Sequence, residues 1–123
     1  MSGSRLLIDT NIALYLLGGD ERVAELLDGQ DVYLSFISEL ELLGFRDLDA
    51  KEEAIVRDFI SKCAVIDIDQ HIKQQTIAIR RASQMKLPDA IIAATSIHLE
   101  LPLLSADKGF SRINQLAFIQ YEI

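Results

Sequence analysis

Five short apolar segments, each separated from the next by a segment with helical periodicity, constrain the fold of this chain more than any other feature. A short, mostly apolar run is typical of a strand that is buried on both faces. Strands of this kind that alternate with helices indicate a parallel sheet with helices packed on both sides. We therefore predict an α/β protein with a doubly wound, mainly parallel sheet. The predicted strands are residues 5–8, 32–37, 63–66, 103–105 and 118–121.

The intervening segments carry the start signals and the apolar spacing of amphipathic helices. Ser38 with Glu41, and Asp49 with Glu52, have the spacing of capping boxes. Predicted helices cover residues 11–17, 21–27, 38–43, 69–85 and 88–99, and another begins at Asp49. Three of these helices are predicted to turn the following side chains inward: Val23, Leu26 and Leu27; Ala54, Ile55, Phe59 and Ile60; Ile72, Ile77, Ile79 and Ala82.

The length of 123 residues predicts a single domain that spans residues 1–123. Half of the residues are hydrophobic, which is enough for a packed core. No apolar stretch approaches the roughly 18 residues of a membrane-spanning helix, and the polar residues 1–4 do not have the pattern of a signal peptide. The single Cys63 forms no intrachain disulfide and no zinc-cysteine cluster, which fits a reducing compartment. We expect a cytoplasmic protein without membrane association.

The charge of the chain is unevenly distributed. The net charge of −7 argues against sequence-independent binding to a polyanion. Residues 1–69 contain 15 acidic and 6 basic side chains, whereas residues 70–123 contain 4 acidic and 6 basic ones. If a polyanion binds, we expect the second half of the chain to contact it.

Four carboxylates are expected to meet at one edge of the predicted sheet. Asp9 directly follows the first strand, Glu41 lies about one helical turn past the second, and Asp107 follows the fourth. Asp89 stands at the amino end of the helix that leads into the fourth strand. Because ligands bind at the carboxyl ends of the strands in a doubly wound sheet, these four residues form the candidate site.

Each of these carboxylates alone is explained as a helix cap, but together they require a counter-ion. At about 6 Å and an effective dielectric of about 20, each like-charge pair costs roughly 3 kcal/mol. The sum over four carboxylates rivals the whole stability of a domain, about 5–15 kcal/mol. Such a cluster must bind cations or take up protons. Oxygen-only ligands select Mg²⁺ or Mn²⁺, and a carboxylate-held pair of such ions is a common device for phosphodiester cleavage.

Other polar residues have weaker claims to a function. His71 and His98 are far apart in the sequence without the spacing of metal ligands, and we expect surface or helix-face histidines. Five basic residues flank Asp89 and Asp107 in the sequence: Arg80, Arg81, Lys86, Lys108 and Arg112. They are explained equally well as a solvated face and as phosphate contacts beside a metal.

Four segments of the sequence together resemble the PIN-domain nucleases, and best of all the VapC-like toxins of type II toxin-antitoxin systems. They are residues 8–11 (IDTN), 38–42 (SELEL), 87–95 (LPDAIIAAT) and 103–110 (LLSADKGF). The segments span almost the whole chain, in the order and at the distances of the family. Residues 87–95 are the most specific of them.

The resemblance implies a three-layer α/β/α sandwich with sheet order 3-2-1-4-5. It also implies an endoribonuclease that depends on Mg²⁺ or Mn²⁺ and acts on an RNA substrate, and a homodimer that is inhibited by an antitoxin. Carried over by motif, the catalytic and metal-binding residues are Asp9, Glu41, Asp89 and Asp107. The supporting polar residues are Asn11 and Ser38.

Glu39 competes with Glu41 for the second ligand position. Counted from Ser38, the acid of the family falls at Glu41. Glu39 would project about 200° away round the helix, where we expect it to be solvated.

Two other classes of function fit the sequence poorly, and two PIN-like alternatives remain open. Phosphatases with an aspartate nucleophile need a second Asp two positions after the first, and Asn11 stands there. A phosphoacceptor receiver domain needs an acidic pair after the first strand, which is missing, and offers only Asp67 or Asp69 as acceptor. A solitary RNA-processing PIN nuclease and a catalytically inactive PIN-like binding module are compatible with the same motifs.

Overall fold

The computed structural model describes residues 4–123. Residues 1–3, which belong to the polar start and to the predicted 1–123 domain, lie outside the described residues. The order of strands across the single parallel sheet is 3-2-1-4-5 in chain numbering. The predicted α/β class, parallel sheet and strand order are thus confirmed. The strands are β1 (Arg5–Ile8), β2 (Asp31–Ser35), β3 (Ala64–Ile66), β4 (Leu103–Ser105) and β5 (Phe118–Gln120).

Helices cover both faces of the sheet. They are α1 (Thr10–Leu17), α2 (Glu21–Leu27), α3 (Phe36–Leu43), α4 (Ala50–Ser61), α5 (Gln70–Ala82) and α6 (Leu87–Leu99), followed by a 3-10 helix (Lys108–Arg112) that the sequence did not predict. Successive side chains of a strand point to opposite faces. Leu6 and Ile8 of β1 accordingly pack in one core with α1 to α4, and Leu7 packs in a second core with α5 and α6. The result is a three-layer α/β/α sandwich.

The central position of β1 brings the ends of its neighbours together. Leu7 is paired with Tyr33 of β2 on one side and with Leu103 of β4 on the other. Because all strands are parallel, their carboxyl ends lie at one edge of the sheet. The chain leaves β2 at Ser35 and β4 at Ser105, beside the end of β1.

The start of α3 differs from the prediction. The hydroxyl of Ser35 accepts a hydrogen bond from the Ile37 backbone N–H at 3.2 Å, so that the helix begins at Phe36. This cap ends the strand before Phe36, and Ser38 lies inside the helix instead of at its start. The predicted Ser38–Glu41 capping box is therefore wrong. The other predicted capping box, on α4, is confirmed, with both reciprocal hydrogen bonds present between Asp49 and Glu52.

Some of the predicted inward faces are also wrong. Leu26, Ile55 and Ile77 are 49%, 52% and 43% exposed. Their helices bury Val23 and Leu27 in α2, Val56 and Ile60 in α4, and Ile72, Thr76 and Ile79 in α5. Ala54 and Ala82 are likewise exposed. Spacing defines which residues share a helix face, but the position of the sheet decides how wide the buried stripe is.

No helix in residues 4–123 is both long enough and apolar enough to cross a membrane.

Two isoleucines of α5 test the corrected helix face. Ile79 is 5% exposed and Ile77 is 43% exposed. Ile79→Ala should lower the free energy of unfolding by about 2–5 kcal/mol, because it leaves a cavity in the core. Ile77→Ala should cost about 1 kcal/mol or less, since that side chain is only partly removed from water. Urea unfolding of both variants measures the difference, and equal losses would contradict the observed face.

Candidate active site

Asp9 is the most buried of the candidate carboxylates, with 5% of its surface exposed. It follows β1 and caps α1, where its Oδ1 accepts a hydrogen bond from the Ile12 backbone N–H at 2.9 Å. Its Oδ2 accepts a hydrogen bond from the hydroxyl of Ser105. Burial raises the pKa of Asp9; the hydrogen bonds from Ser105 and Ile12 oppose this shift, and the charges of Asp107 and Glu41 add to it.

Ser105 connects two of the carboxylate-bearing segments. It is fully buried at the end of β4 and donates its hydroxyl proton to Asp9. The same oxygen accepts a hydrogen bond from the Asp107 backbone N–H at 2.9 Å. One side chain therefore fixes both the orientation of the Asp9 carboxylate and the path of the chain into Asp107.

Thr10 connects α1 to α3. Its Oγ1 lies 2.6 Å from Oε1 of Glu41 and 2.9 Å from Oγ of Ser38, which is fully buried. A hydroxyl has one proton to donate, and a carboxylate only accepts. The arrangement that satisfies both contacts has Thr10 donating to Glu41 and Ser38 donating to Thr10. Ser38 thus supports the position of Glu41 through Thr10.

Asp89 lies in the first turn of α6 and is partly buried. Its pKa is raised from the ordinary value of 3.8, first by burial and then by the negative charges of Asp107, Asp9 and Glu41. The ammonium of Lys86 acts in the opposite direction. The carboxylates are therefore near enough to repel one another at this edge of the sheet.

Asp107 caps the 3-10 helix and is exposed. Its Oδ1 accepts a hydrogen bond from the Gly109 backbone N–H at 2.8 Å. A Cβ at position 109 would lie 3.1 Å from that same oxygen, so a side chain there would crowd the carboxylate. Glycine at this position keeps the carboxylate accessible.

Two adjoining pockets contain all four carboxylates. Asp9, Glu41 and Asp89 line a pocket of about 490 Å³, together with Thr10 and Asn11. Asp89 and Asp107 line a second pocket of about 220 Å³, whose basic residues are Lys86 and Arg112. Because Asp89 lines both, the two pockets adjoin at this side chain. The other candidate phosphate contacts, which line neither pocket, are Arg80, Arg81 and Lys108.

The chemistry of this donor set fits a hard divalent cation. Carboxylate oxygens are the ligands that Mg²⁺ and Mn²⁺ prefer, and an ion would offset the repulsion that raises the pKa of Asp9 and Asp89. As placed, no three His, Cys, Asp or Glu side chains within residues 4–123 converge closely enough to hold an ion. Glu41 and Asp107 are exposed and have room to turn, whereas Asp9 is held by two hydrogen bonds.

Thr10 and Ser105 are residues of the site that sequence reasoning missed. The sequence carried a signal for both, because Thr10 directly follows Asp9 and Ser105 ends a predicted strand two residues before Asp107. Glu39 is half-buried rather than solvated, and it lines neither pocket of the site.

The two histidines, far apart in sequence, are in contact in the structure. Their rings stack at 5.0 Å between centroids with an interplanar angle of 9°. Asp69 Oδ2 lies 3.6 Å from Nε2 of His98. This contact is formed by the packing of α5 against α6, away from the carboxylates.

Fold and site together define a parallel α/β protein with an acidic cluster at the carboxyl edge of its sheet. The PIN domain family model matches residues 6–116, and the chain belongs to the PIN-domain family. Comparison with curated protein sequences finds no match.

Solved structures resemble the chain over nearly its whole length. A chain of the toxin-antitoxin complex from Klebsiella pneumoniae is 31% identical, with a TM-score of 0.83 over 96% of this chain and 99% of that one. DNA-bound VapBC from Salmonella typhimurium shares the fold at 21% identity, with a TM-score of 0.82 and coverage of 96% and 98%. VapBC2 from Rickettsia felis, bound to a promoter DNA fragment, does so at 22% identity, with a TM-score of 0.80 and coverage of 96% and 99%.

Removal of one carboxylate should stabilise the metal-free protein. Because the pKa of Asp89 is raised by folding, the folded state binds this proton more tightly than the unfolded state. Stability is therefore lost as the pH rises from 3.8 through the folded pKa. Asp89→Asn removes this loss. At pH 7 in EDTA, the free energy of unfolding of the variant should therefore exceed that of the wild type. Below pH 3.8 the two proteins should show no such difference.

Urea unfolding in EDTA at several pH values measures this effect. Asp47→Asn, which changes an exposed carboxylate outside the cluster, is the matched control and should show no such gain. A wild type that is more stable than Asp89→Asn at pH 7 would contradict the repulsion.

Proposed function

We propose that the chain is a metal-dependent endoribonuclease and the toxin of a VapBC-like toxin-antitoxin module. The observation that carries this proposal is the cluster of Asp9, Glu41, Asp89 and Asp107 at the carboxyl edge of the sheet. Two members have raised pKa values through burial and mutual repulsion. Within the described part of the chain, none of the four forms an ion pair with a basic side chain. Lys86 is the cation whose charge acts on Asp89, but within residues 4–123 it forms no ion pair with the cluster, which favours binding of an external cation.

The four carboxylates are the proposed ligands of Mg²⁺ or Mn²⁺. When bound, such an ion lowers the pKa of water, polarises the phosphoryl oxygens and stabilises the leaving oxygen. The chain contributes a fixed anchor at Asp9, which the Ile12 N–H and the Ser105 hydroxyl hold in place. Thr10 orients Glu41 by its hydrogen bond.

Hydrolysis of RNA needs no protein nucleophile at this site. Water adds to the phosphorus atom, the bond from phosphorus to one sugar oxygen breaks, and that oxygen leaves with a proton. Lys86, close enough to Asp89 to lower its pKa, supplies positive charge for the phosphate backbone. Asn11 stands where an aspartate-nucleophile phosphatase has its general acid, which argues against that alternative.

Cleavage assays with paired glutamate variants test the nuclease function. The purified chain should cleave single-stranded RNA in Mg²⁺ or Mn²⁺ and stop when EDTA is added. Asp107→Asn and Glu41→Gln should each lower the rate by at least about 100-fold, since supporting residues of metal sites alone account for roughly 10–100-fold. Glu39→Gln, on the same helix but outside the pockets, should cleave at the wild-type rate.

The pattern of activities separates the alternatives. Melting temperatures near that of the wild type exclude loss of activity through unfolding. Cleavage that persists in EDTA points to a metal-independent nuclease. A chain with no cleavage under any metal fits the inactive binding module. Loss in Glu39→Gln with normal Glu41→Gln would place the ligand at Glu39.

A mainly apolar groove beside the site, whose lining also includes the charged residues Arg46, Asp47 and Glu52, supports the proposed antitoxin partner. The groove has a volume of about 630 Å³ between α1, α3 and α4. Phe45 and Ile55, which line it, are 49% and 52% exposed, although both are large apolar side chains. Leu14 and Phe45 also line the pocket of Asp9 and Glu41. A partner segment seated in the groove would therefore border the carboxylates and obstruct the entry of RNA.

Co-expression with the product of the adjoining reading frame tests this partner. The product of a small neighbouring gene should bind the chain and stop its cleavage of RNA. Ile55→Asp should weaken the complex at least tenfold, because it replaces a large apolar contact surface with a charge, while the free variant still cleaves. Ile77→Asp, an equally exposed isoleucine on α5, is the matched control for titration calorimetry. A neighbouring product without effect on binding or cleavage favours a solitary RNA-processing nuclease.

A further inference from the structure

A third pocket adjoins the acidic site on the side of α5 and residues 112–115. It has a volume of about 460 Å³ and shares Ser83 and Arg112 with the 220 Å³ pocket of Asp89 and Asp107. That pocket in turn shares Asp89 with the pocket of Asp9 and Glu41. The three pockets therefore lie in a row along the surface, from the carboxylates past Arg112 to Gln115, and we call this row the track.

Positive charge marks the middle of this track. Lys86, at the amino end of α6, is close enough to Asp89 to lower the pKa of that carboxyl. Arg112 lies in the last turn of the 3-10 helix, between the second and third pockets. In the portion of the chain that the structure describes, neither side chain forms an ion pair. Both cations are thus available to a phosphate that follows the reacting one along a strand.

The far end of the track contains amides instead of charges. Gln75 of α5 and the consecutive residues Asn114 and Gln115 line the third pocket, where Arg112 is the one charged residue among those that line it. Nε2 of Gln75 lies 3.5 Å from Oε1 of Gln115, at the outer limit of a hydrogen bond. Each amide carries two N–H donors and an acceptor oxygen, so this weak contact leaves most of their capacity unused.

The wall of the third pocket is apolar. Ala78, Ile79 and Ala82 of α5 and Ile113 line it beside the amides. An unpaired base stacks its faces on aromatic or guanidinium planes and forms hydrogen bonds with its edges. Amides recognise base edges because they donate and accept at once. Arg112 provides such a plane at the entrance of the pocket, and the amides provide hydrogen bonds for a base edge.

We propose that Gln75, Asn114 and Gln115 read one unpaired base of the RNA substrate, while Lys86 and Arg112 hold the backbone between that base and the cleaved bond. This inference rests on the proposed nuclease function. Sequence preference is then expected on one side of the cleaved bond. On the other side the carboxylates adjoin the apolar groove of Phe45 and Ile55, which presents no Asn or Gln side chain.

Sequencing of the ends produced from a randomised single-stranded RNA tests the base reading. The wild type should show a preference for one base at a single position on one side of the cut. Gln75→Ala and Gln115→Ala should each reduce that preference about tenfold, the order of discrimination of a good amide-base pair. Gln74→Ala is the control, because Gln74 lines the pocket of His71 and His98 but not the third pocket. This variant should leave both the cleavage rate and the base preference unchanged.

A binding measurement separates this inference from the nuclease proposal. Fluorescence anisotropy of a labelled random-sequence RNA in EDTA reports affinity without cleavage. Arg112→Ala should weaken binding and reduce the slope of log affinity against log salt by about 1. Arg57→Ala, on the opposite layer and paired with Glu53, should change neither quantity.

Each result has one interpretation. Cleavage without a base preference, or with a preference that Gln75→Ala and Gln115→Ala leave intact, overturns the base pocket but not the nuclease function. Absence of cleavage overturns the nuclease function. In that case, the binding measurement still tests the track. Weaker RNA binding by Arg112→Ala and Gln75→Ala, with unchanged binding by Arg57→Ala and Gln74→Ala, supports the track as an RNA-binding surface. Equal binding by all four variants overturns it.

Discussion

A buried carboxylate at the end of the central strand is the constraint on which the site depends. Asp9 is almost without solvent contact, and burial disfavours its ionised form. The Ile12 N–H at the start of α1 and the hydroxyl of Ser105 compensate part of that cost. These two contacts tie the amino end of α1 and the carboxyl end of β4 to one side chain. The other carboxylates are then arranged around a side chain that two hydrogen bonds orient.

The four carboxylates differ in how firmly they are held. Asp9 is fixed by two hydrogen bonds, and Glu41 is exposed but oriented by Thr10. Asp107 accepts a backbone hydrogen bond within its own turn. Asp89 is partly buried in the first turn of α6. The cluster thus combines one carboxylate held by two hydrogen bonds with partners that are less buried.

The surfaces on the two sides of the site have opposite chemistry. The groove between α1, α3 and α4 is mainly apolar and contains exposed Phe45 and Ile55, with Arg46, Asp47 and Glu52 also in its lining. The track toward α5 contains Lys86 and Arg112 and then side-chain amides. The first surface suits an apolar protein segment. The second suits a polyanion whose bases can form hydrogen bonds with side-chain amides. This division agrees with the sequence, whose first 69 residues hold 15 of the 19 acidic side chains.

The sequence by itself determined the α/β class, the strands near their observed positions and the four carboxylates at one sheet edge, because short apolar runs and helix starts are local patterns. The strand order came with the family resemblance. Tertiary packing decided what local patterns do not contain. Ile77 faces solvent while Thr76 is buried, and His71 stacks on His98. Thr10 and Ser105 gain their roles only from partners 31 and 96 residues away. Such contacts depend on which segments the sheet brings together, and spacing along one segment does not encode that.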